Sequence, residues 1–316
     1  SEVSMKFDNR ITRMFGVDIP IVQAPMGFIA KPPLVGAVAN AGAVGLVPGS
    51  LPIDEVREDI RQTRALTSKP FGVNLPIAFV QDIRIIDMIL EEGIRFVTTS
   101  AGSPDKHTKT LKTAGLTVFH VVPSLKAALK AVDAGVDGLI VEGSEGAGFK
   151  NPRDVTSMVL LPLITSRVDV PVIAAGGMAD GRTMAAAFAL GAEGVQMGTR
   201  MVATAESPVH HNMKQAVVDA EETDTMLINQ HAGRPVRVRR TDSSAPFELR
   251  NEGNLMALRP QTLDMYRDGD MNVGLPQLGQ VAGRIQSVLP VAEIIRQTVS
   301  EFETALAGLS HQYLVK

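Results

Sequence analysis

Two stretches decide the fold of this chain: PVIAAGGMADG, at residues 171–181, and GVQMGTR, at residues 194–200. Each is a short apolar run of strand type that ends abruptly in glycine or Gly-Thr, and a helical segment follows directly. The bare backbone N–H groups of such glycines, together with the positive end of a helix opening near Asp180, predict an anion site. We call the following four residues the phosphate clamp: Gly176, Gly177, Gly198 and Thr199.

The rest of the chain repeats the alternation of strand and helix. Eight apolar runs bounded by turn residues are predicted as strands, at 20–24, 44–47, 71–75, 95–99, 117–122, 138–141, 171–174 and 194–197. Helical periodicity lies between them, at 53–66, 80–92, 106–113, 124–134, 155–167 and 182–190. A doubly wound open sheet would give the same alternation. Eight units with phosphate-type turns after the last two favour a (β/α)8 TIM barrel, an α/β fold whose usual phosphate site follows strands 7 and 8.

The pattern breaks after Arg200, and this break divides the chain. We predict that residues 1–204 and 278–316 form the barrel, in which the periodic run at 278–306 supplies a closing pair of helices. Residues 205–277 are predicted to form an inserted lid subdomain for the substrate, beside the barrel mouth.

The amino-acid composition excludes several kinds of site and partner. The chain has 316 residues, of which 45% are hydrophobic and 21% charged, as is ordinary for a globular protein. It has no cysteine, which excludes disulfides, thiolate metal sites and cysteine nucleophiles. A net charge of −3, with no Trp and two Tyr, argues against a nucleic-acid partner. Without a spanning apolar run or the apolar core of a secretory signal, a soluble cytoplasmic protein without a membrane partner is expected.

The residues just after each strand are the site candidates, because active sites of such barrels lie at the carboxyl ends of the strands. Ala24, Pro25 and Met26 offer a slim floor on which a flat heterocycle could lie. Asn74 and Gln196 carry amides that can read the edge of a pyrimidine-like ring. Together with the phosphate clamp, these groups favour flavin mononucleotide (FMN), and no metal is expected.

These motifs resemble a known family. VQAPM at 22–26, PFGVN at 70–74, EGSEGAG at 142–148, PVIAAGGMADGR at 171–182 and VQMGTR at 195–200 resemble the nitronate monooxygenases, or 2-nitropropane dioxygenase-like proteins. The chain is equally similar to the FMN-containing enoyl-acyl-carrier-protein reductases of the same superfamily. The resemblance implies an FMN-bearing barrel whose cofactor phosphate sits on the phosphate clamp. It places the ring and ribityl contacts at Ala24, Met26, Asn74, Glu142, Ala147, Gly148 and Gln196, with Pro25 and Met197 beside them.

One departure from the family concerns the mechanism. The family has a histidine directly after the Ala-Gly of the loop that follows strand 6, and this chain has Phe149 there. Phenylalanine can shape an apolar pocket but can transfer no proton, so another group serves or the chemistry needs none. His120 is a candidate acid or base, with a hydrogen-bonded structural histidine as the alternative. Glu142 is expected to bind ribityl hydroxyls, Glu145 is left open as a base, and Lys150 is expected to be solvated.

Other histidines and a basic run lie outside the barrel motifs. His210, His211 and His231 could reach the site from the lid, whereas His107 and His311 are expected on the surface. A run of arginines is interpreted either as surface ion pairing or as a grip on a phosphorylated carrier. It consists of Arg234, Arg237, Arg239 and Arg240.

The sequence therefore predicts an FMN-dependent oxidoreductase that resembles nitronate monooxygenase and oxidises a small carbanion-forming substrate with O₂ or another acceptor. Two alternatives stay open. One is an enoyl-thioester reductase for an acyl-carrier protein or coenzyme A, or another reductase that uses NADH or NADPH as reductant. The other is a flavin-binding protein that has lost catalysis. The expected partner is a small-molecule or acyl-thioester substrate, and a homodimer is compatible with the sequence.

Overall fold

Eight strands lie side by side in one parallel sheet in the computed structural model, which describes residues 6–80, 82–248 and 255–314. Strands are numbered in chain order, and the sheet order is β1-β9-β8-β6-β5-β4-β3-β2. These strands are β1 Ile21–Gln23, β2 Leu46–Pro48, β3 Gly72–Pro76, β4 Phe96–Ser100, β5 Thr117–Val122, β6 Gly138–Glu142, β8 Val172–Ala175 and β9 Gly194–Met197. All eight predicted strands are confirmed.

The two ends of the sheet meet, so the sheet forms a nearly closed barrel. Val22 bridges to Val44 in parallel register, and the N–H of Val44 donates to the carbonyl of Ile21 at 2.8 Å. The buried side chain of Gln23 completes the join, since its amide accepts from the N–H of Leu46 and donates to the Leu46 carbonyl. The TIM barrel is confirmed, and the open-sheet alternative is wrong.

Helices cover the outside of the barrel, as the apolar character of the strands requires. The α-helices of the described residues are α1 Arg10–Phe15, α2 Pro32–Asn40, α3 Ile53–Leu66, α4 Ile85–Glu91, α5 Thr108–Thr113, α6 Leu125–Asp133, α7 Ser157–Thr165, α8 Gly181–Ala189, α9 Thr199–Val202, α10 His211–Val218, α11 Arg259–Asp268 and α12 Val291–Tyr313. Short 3-10 helices occur at Ile77–Phe79, Pro104–Lys106, Gln230–Ala232, Ala245–Phe247, Leu255–Leu258 and Gln280–Arg284.

Aromatic side chains fill the barrel interior. Phe15 from α1 packs edge-on against Phe96, with ring centroids 4.6 Å apart, and also contacts Phe119. Gly138 leaves room for the ring of Phe119, because an added Cβ would lie 2.2 Å from that ring. The barrel is therefore a filled core, and a site can form only at its rim.

Residues between the barrel and α12 add a small sheet and a helix above the carboxyl ends of the strands. The antiparallel strands β10 Thr225–Ile228 and β11 Val236–Arg239 pair with β7 Gly148–Phe149, which belongs to the loop after the sixth barrel strand. Helix α11 follows and reaches the barrel mouth. That residues 205–277 act as a lid subdomain stays a proposal.

The predicted pair of closing helices at 278–306 is wrong. Only Val291–Tyr313 forms an α-helix there, and it packs on α8 and α2. The preceding stretch contains one short 3-10 helix, at Gln280–Arg284. Gly283 packs closely against the backbone of Glu222, and Pro290 is the N-cap residue of α12.

Candidate active site

A cavity of about 540 Å³ opens at the carboxyl ends of the barrel strands, where sites of this fold lie. Its walls come from the loops after the barrel strands, from the first 3-10 helix and from α11. The predicted site residues that line it are Ala24, Met26, Glu142, Ala147, Phe149, Gly176, Gly177, Gln196, Gly198 and Thr199. Those that do not are Pro25, Asn74, His120, Glu145, Gly148 and Met197.

All four residues of the phosphate clamp line this cavity. Gly176 and Gly177 adopt φ values of +86° and +77°, a region that side chains rarely enter. A Cβ on Gly176 would lie 2.9 Å from the carbonyl oxygen of Gly143, so this turn requires glycine. Directly after the turn, the Asp180 carboxylate caps α8 by accepting from the N–H of Thr183 at 2.9 Å. The start of a capped helix therefore follows the glycine pair, as predicted.

The two predicted amides have different roles. Gln196 lines the cavity, and its side-chain oxygen is buried without a hydrogen-bond partner among the described residues. The Asn74 amide instead donates to Thr98 Oγ1 at 2.9 Å, which ties β3 to β4. Met197 points to the opposite face of β9 from Gln196 and is buried between the sheet and the helices. Gln196 is thus the amide that is free to receive a ligand.

The Lys150 side chain is buried, which corrects the prediction that it is solvated. Only 4% of it is exposed, and its ammonium lies 2.5 Å from Glu142 Oε1. Glu142 reaches the cavity wall, whereas Lys150 lies behind it in a smaller pocket. The ion pair makes this burial tolerable, because an unpaired ammonium would keep its water.

Glu145 has a structural role in the described residues. Its carboxylate accepts hydrogen bonds from the backbone N–H of Ser157 at 2.9 Å and from the Ser157 hydroxyl at 3.0 Å. Ser157 is the first residue of α7, so Glu145 satisfies a free donor at the start of that helix. A carboxylate held in this way is poorly placed to act as a base in the cavity.

His120 is buried on the outer face of the sheet, opposite to Phe119, and lies away from the cavity walls. It is 3% exposed, and its Nδ1 hydrogen-bonds to Thr99 Oγ1 at 2.6 Å. Burial lowers the pKa of His120 to about 4, so the ring is neutral at physiological pH. The geometry favours the structural alternative for this residue.

None of the chain's six histidines lines the cavity, and all six are described. His210 caps α10, where its Nδ1 accepts from the N–H of Asn212 at 3.1 Å. His107 is 9% exposed, which corrects its predicted surface position, and burial lowers its pKa. The position of the family histidine is taken by Phe149, which is half exposed at the cavity rim and pairs with Val236 in the small sheet.

The arginine run does not face the cavity. Buried Arg237 donates to the Ser144 carbonyl at 2.9 Å and so braces the loop after the sixth barrel strand. Nη2 of Arg239 lies 3.9 Å from Oδ2 of Asp224, and Nη2 of Arg240 lies 2.8 Å from Oε1 of Glu248. The structure therefore favours ion pairing and bracing for these arginines over a grip on a carrier.

The roof of the cavity is one face of α11, which was not predicted from the sequence. Its cavity residues follow helical spacing: Arg259, Thr262, Leu263 and Tyr266. That spacing is a signal that the sequence contained. The guanidinium of Arg259 lies 4.8 Å above the ring of Phe28, another cavity residue, whose φ of +67° is rare for a side chain of this size.

Two further findings concern metal binding and membrane-spanning helices. In residues 6–80, 82–248 and 255–314, no three His, Asp or Glu side chains are grouped so that they could hold a metal ion. In the same ranges, no helix combines the length and the apolar character that crossing a bilayer needs.

Comparison with known proteins gives the family. The model of the nitronate monooxygenase family matches residues 8–80 and 77–301. Over 78% of its length the chain is 38% identical to a (3aS,4S,5R,7aS)-5-hydroxy-7a-methyl-1-oxo-octahydro-1H-indene-4-carboxyl-CoA dehydrogenase of Rhodococcus jostii, 69% of which is covered. Over 74% of its length it is 30% identical to a probable nitronate monooxygenase of Staphylococcus saprophyticus, 79% of which is covered.

Solved structures agree with this assignment. FabK from Thermotoga maritima superposes with a TM-score of 0.92 at 37% identity, and the match covers 98% of this chain and 100% of that one. A nitroalkane oxidase from Streptomyces ansochromogenes superposes with a TM-score of 0.83 at 26% identity, over 95% of this chain and 99% of that one. The chain therefore belongs to the nitronate monooxygenase family of oxidoreductases.

Proposed function

We propose that the protein is an FMN-dependent oxidoreductase whose substrate is an acyl thioester. The observation that carries the cofactor part is the unpartnered oxygen of Gln196, buried in a cavity that also contains the glycine turn. A buried polar atom without a partner is costly, and the edge of a flavin ring offers donors that would satisfy it. The phosphate clamp would hold the cofactor phosphate.

FMN, when bound, would supply hydride transfer, and the protein would bind and orient both reactants. Ala24 and Met26 would form the floor under the ring, with Gln196 at its edge. The apolar walls supplied by Phe28, Phe79 and Leu263 would exclude water from the reacting atoms. Glu142 would reach ribityl hydroxyls, and Lys150 would hold its carboxylate in place.

Arg259 supports an acyl-thioester substrate. Its guanidinium is exposed at the cavity mouth and has no carboxylate partner among the described residues. Coenzyme A and acyl-carrier proteins present phosphate groups, which arginine binds well, and their acyl chains suit apolar walls. The name of the Rhodococcus relative, a carboxyl-CoA dehydrogenase, points to the same substrate class.

Nitronate oxidation is the second candidate. It is favoured by the absence of any histidine from the cavity walls, because a nitronate arrives already deprotonated and needs no base. The family model and the staphylococcal relative bear the corresponding name. The same arginine would attract this smaller anion.

Anaerobic reduction of the flavin tests the proposal. The holoprotein is mixed separately with NADH, NADPH, a nitronate, an enoyl-CoA and the matching saturated acyl-CoA, and the visible flavin absorbance is followed. We expect a nicotinamide to bleach the flavin and the enoyl-CoA to restore its colour, or the acyl-CoA to bleach it directly. Bleaching by the nitronate alone would favour the second candidate. No response to any of these compounds would contradict both candidates and favour a flavin-binding protein without catalysis.

A further inference from the structure

We propose that the hydroxyl of Tyr266 is the proton donor that replaces the family histidine. This inference rests on the proposed acyl-thioester function and adds a catalytic residue to it. Tyr266 belongs to α11, which roofs the cavity, so its contribution comes from a part of the chain distant in sequence from the loop after the sixth strand.

Gln277 connects the Tyr266 hydroxyl to the loop that carries Phe149. Tyr266 Oη accepts from the backbone N–H of Gln277 at 3.4 Å, and both residues line the cavity. The side-chain oxygen of Gln277 lies 3.0 Å from the place where a Cβ on Gly148 would stand. Gly148 directly precedes Phe149, so Gln277 links the tyrosine hydroxyl to the loop that carries the histidine elsewhere in the family.

The hydrogen of this hydroxyl is free for donation. Its oxygen accepts from Gln277, but its O–H has no acceptor among the described residues. The neighbouring Thr262 hydroxyl, in contrast, is committed, since it donates to the Leu258 carbonyl and accepts from the N–H of Leu275. Tyr266 lines the cavity, and the proposed role requires that this free hydrogen is directed toward the bound substrate.

Burial keeps this group in its acid form. It raises the pKa of Tyr266 to about 12, so the phenol is protonated throughout the physiological range. The charged pair near the loop is less suited to proton donation, because the Lys150 ammonium is held by Glu142 and does not line the cavity. Tyr266 therefore combines a retained proton with access to the cavity.

The step balances as follows in the reductive direction. A hydride that originates from a nicotinamide reductant adds to the β-carbon of an enoyl thioester, and the electron pair of the C=C bond moves toward the carbonyl. A C–H bond then forms at the α-carbon while the O–H bond of Tyr266 breaks. Water reprotonates the phenolate, so one enoyl thioester, one reduced nicotinamide and one proton give the saturated thioester and the oxidised nicotinamide.

Tyr266→Phe is the test, with Tyr313→Phe as the matched control because Tyr313 is the only other tyrosine and is exposed at the end of α12. In Tyr266→Phe we expect enoyl-CoA turnover to fall about 100-fold or more. FMN content, the Kd for the saturated acyl-CoA and the rate of flavin reduction by the nicotinamide should stay unchanged. Tyr313→Phe should change none of these quantities.

Phenolate absorbance gives a readout that is independent of turnover. The chain has no Trp and two Tyr, so the wild type should show an ordinary titration from Tyr313 and a second one near pH 12 from Tyr266. Only the second should disappear in Tyr266→Phe. Tyr266→His should recover part of the lost turnover with a pH optimum nearer neutrality, which a merely structural tyrosine would not give.

Failure of the proposed function and failure of the Tyr266 role would give different results. If the wild type turns over no thioester, the proposed function fails and this inference fails with it. If the wild type is active and Tyr266→Phe keeps turnover within about threefold, the proposed function stands and only the role of Tyr266 is overturned. Parallel loss of FMN or of acyl-CoA binding in Tyr266→Phe would also overturn it, because the residue would then hold the site together.

Discussion

At position 150 a single lysine shows how burial depends on a partner. Lysine beside an exposed phenylalanine is ordinarily solvated, yet Lys150 turns inward because Glu142 stands 2.5 Å from its ammonium. The sequence contained both residues, but not the approach of their side chains, which depends on the turn at 143–148. The same turn determines that Glu142 is presented to the cavity.

Removal of the ammonium should therefore cost stability. In Lys150→Met we expect the free energy of unfolding to fall by about 1–3 kcal/mol, because the Glu142 carboxylate loses its partner while partly buried. Urea unfolding measures the change. The double variant Lys150→Met with Glu142→Gln should recover part of the loss, and equal losses in the single and double variants would contradict the pairing.

Burial of His120 predicts a pH-dependent stability. Its pKa is about 4 in the folded protein and near 6.5 when unfolded, so the unfolded state binds the extra proton first as pH falls. The stability from the neutral ring is complete above pH 6.5 and is lost as pH falls through 4. The loss is on the order of 3 kcal/mol.

His120→Gln provides the comparison, since glutamine can hydrogen-bond to Thr99 but does not titrate. Between pH 7 and pH 4, the free energy of unfolding should fall by about 3 kcal/mol more in the wild type than in the variant. Unfolding curves that stay parallel over this range would show that His120 is not the buried neutral group described above.

At the scale of elements, the barrel was predictable because local signals and global fold agree. Strand β8 is apolar on both faces, β9 is apolar except at Gln196, and glycine follows each of them, as is typical of a covered parallel sheet with a site at its carboxyl end. The run at 278–306 shows where periodicity misleads: its first half is apolar because it packs around the barrel mouth, not because it is helical. Gly283 and Pro290 were the signals against a helix.

The variant Gly198→Ala, which adds a methyl group to the phosphate clamp, tests ligand binding without disturbing the fold. Gly198→Ala should fold, because the added Cβ would make its nearest contact at 3.4 Å, with Ala24 Cβ, and the φ of −102° suits alanine. The methyl would nevertheless occupy the cavity where the cofactor phosphate is proposed to lie. We expect the Kd for FMN to rise about tenfold or more, which corresponds to about 1.4 kcal/mol.

Gly308→Ala is the matched control for this variant. It lies within α12 with nothing within 4 Å of an added Cβ, so it should leave FMN affinity unchanged and stabilise the protein by up to about 1 kcal/mol. Fluorescence titration of the apoprotein with FMN measures both variants. Equal FMN affinity in Gly198→Ala and wild type would place the cofactor phosphate elsewhere.

For the whole molecule, the site is assembled from distant segments, and this limited prediction from sequence. The floor and clamp could be predicted, because they follow strands in a fold with a fixed site location. The roof could not be predicted as easily, since Arg259 and Tyr266 come from an irregular region where only their helical spacing gives a signal. Strand pairing between β7 and β11 joins that region to the loop with Phe149, so the roof and the altered family position form one structure.

Release of the bound chromophore tests the central claim, that this barrel carries FMN on its phosphate clamp. The purified protein, after incubation with FMN and removal of the excess, is denatured, and the supernatant is analysed by chromatography and mass spectrometry. We predict about one FMN for each chain, and much less in Gly198→Ala treated in the same way. A colourless wild-type protein that releases no flavin would contradict the account.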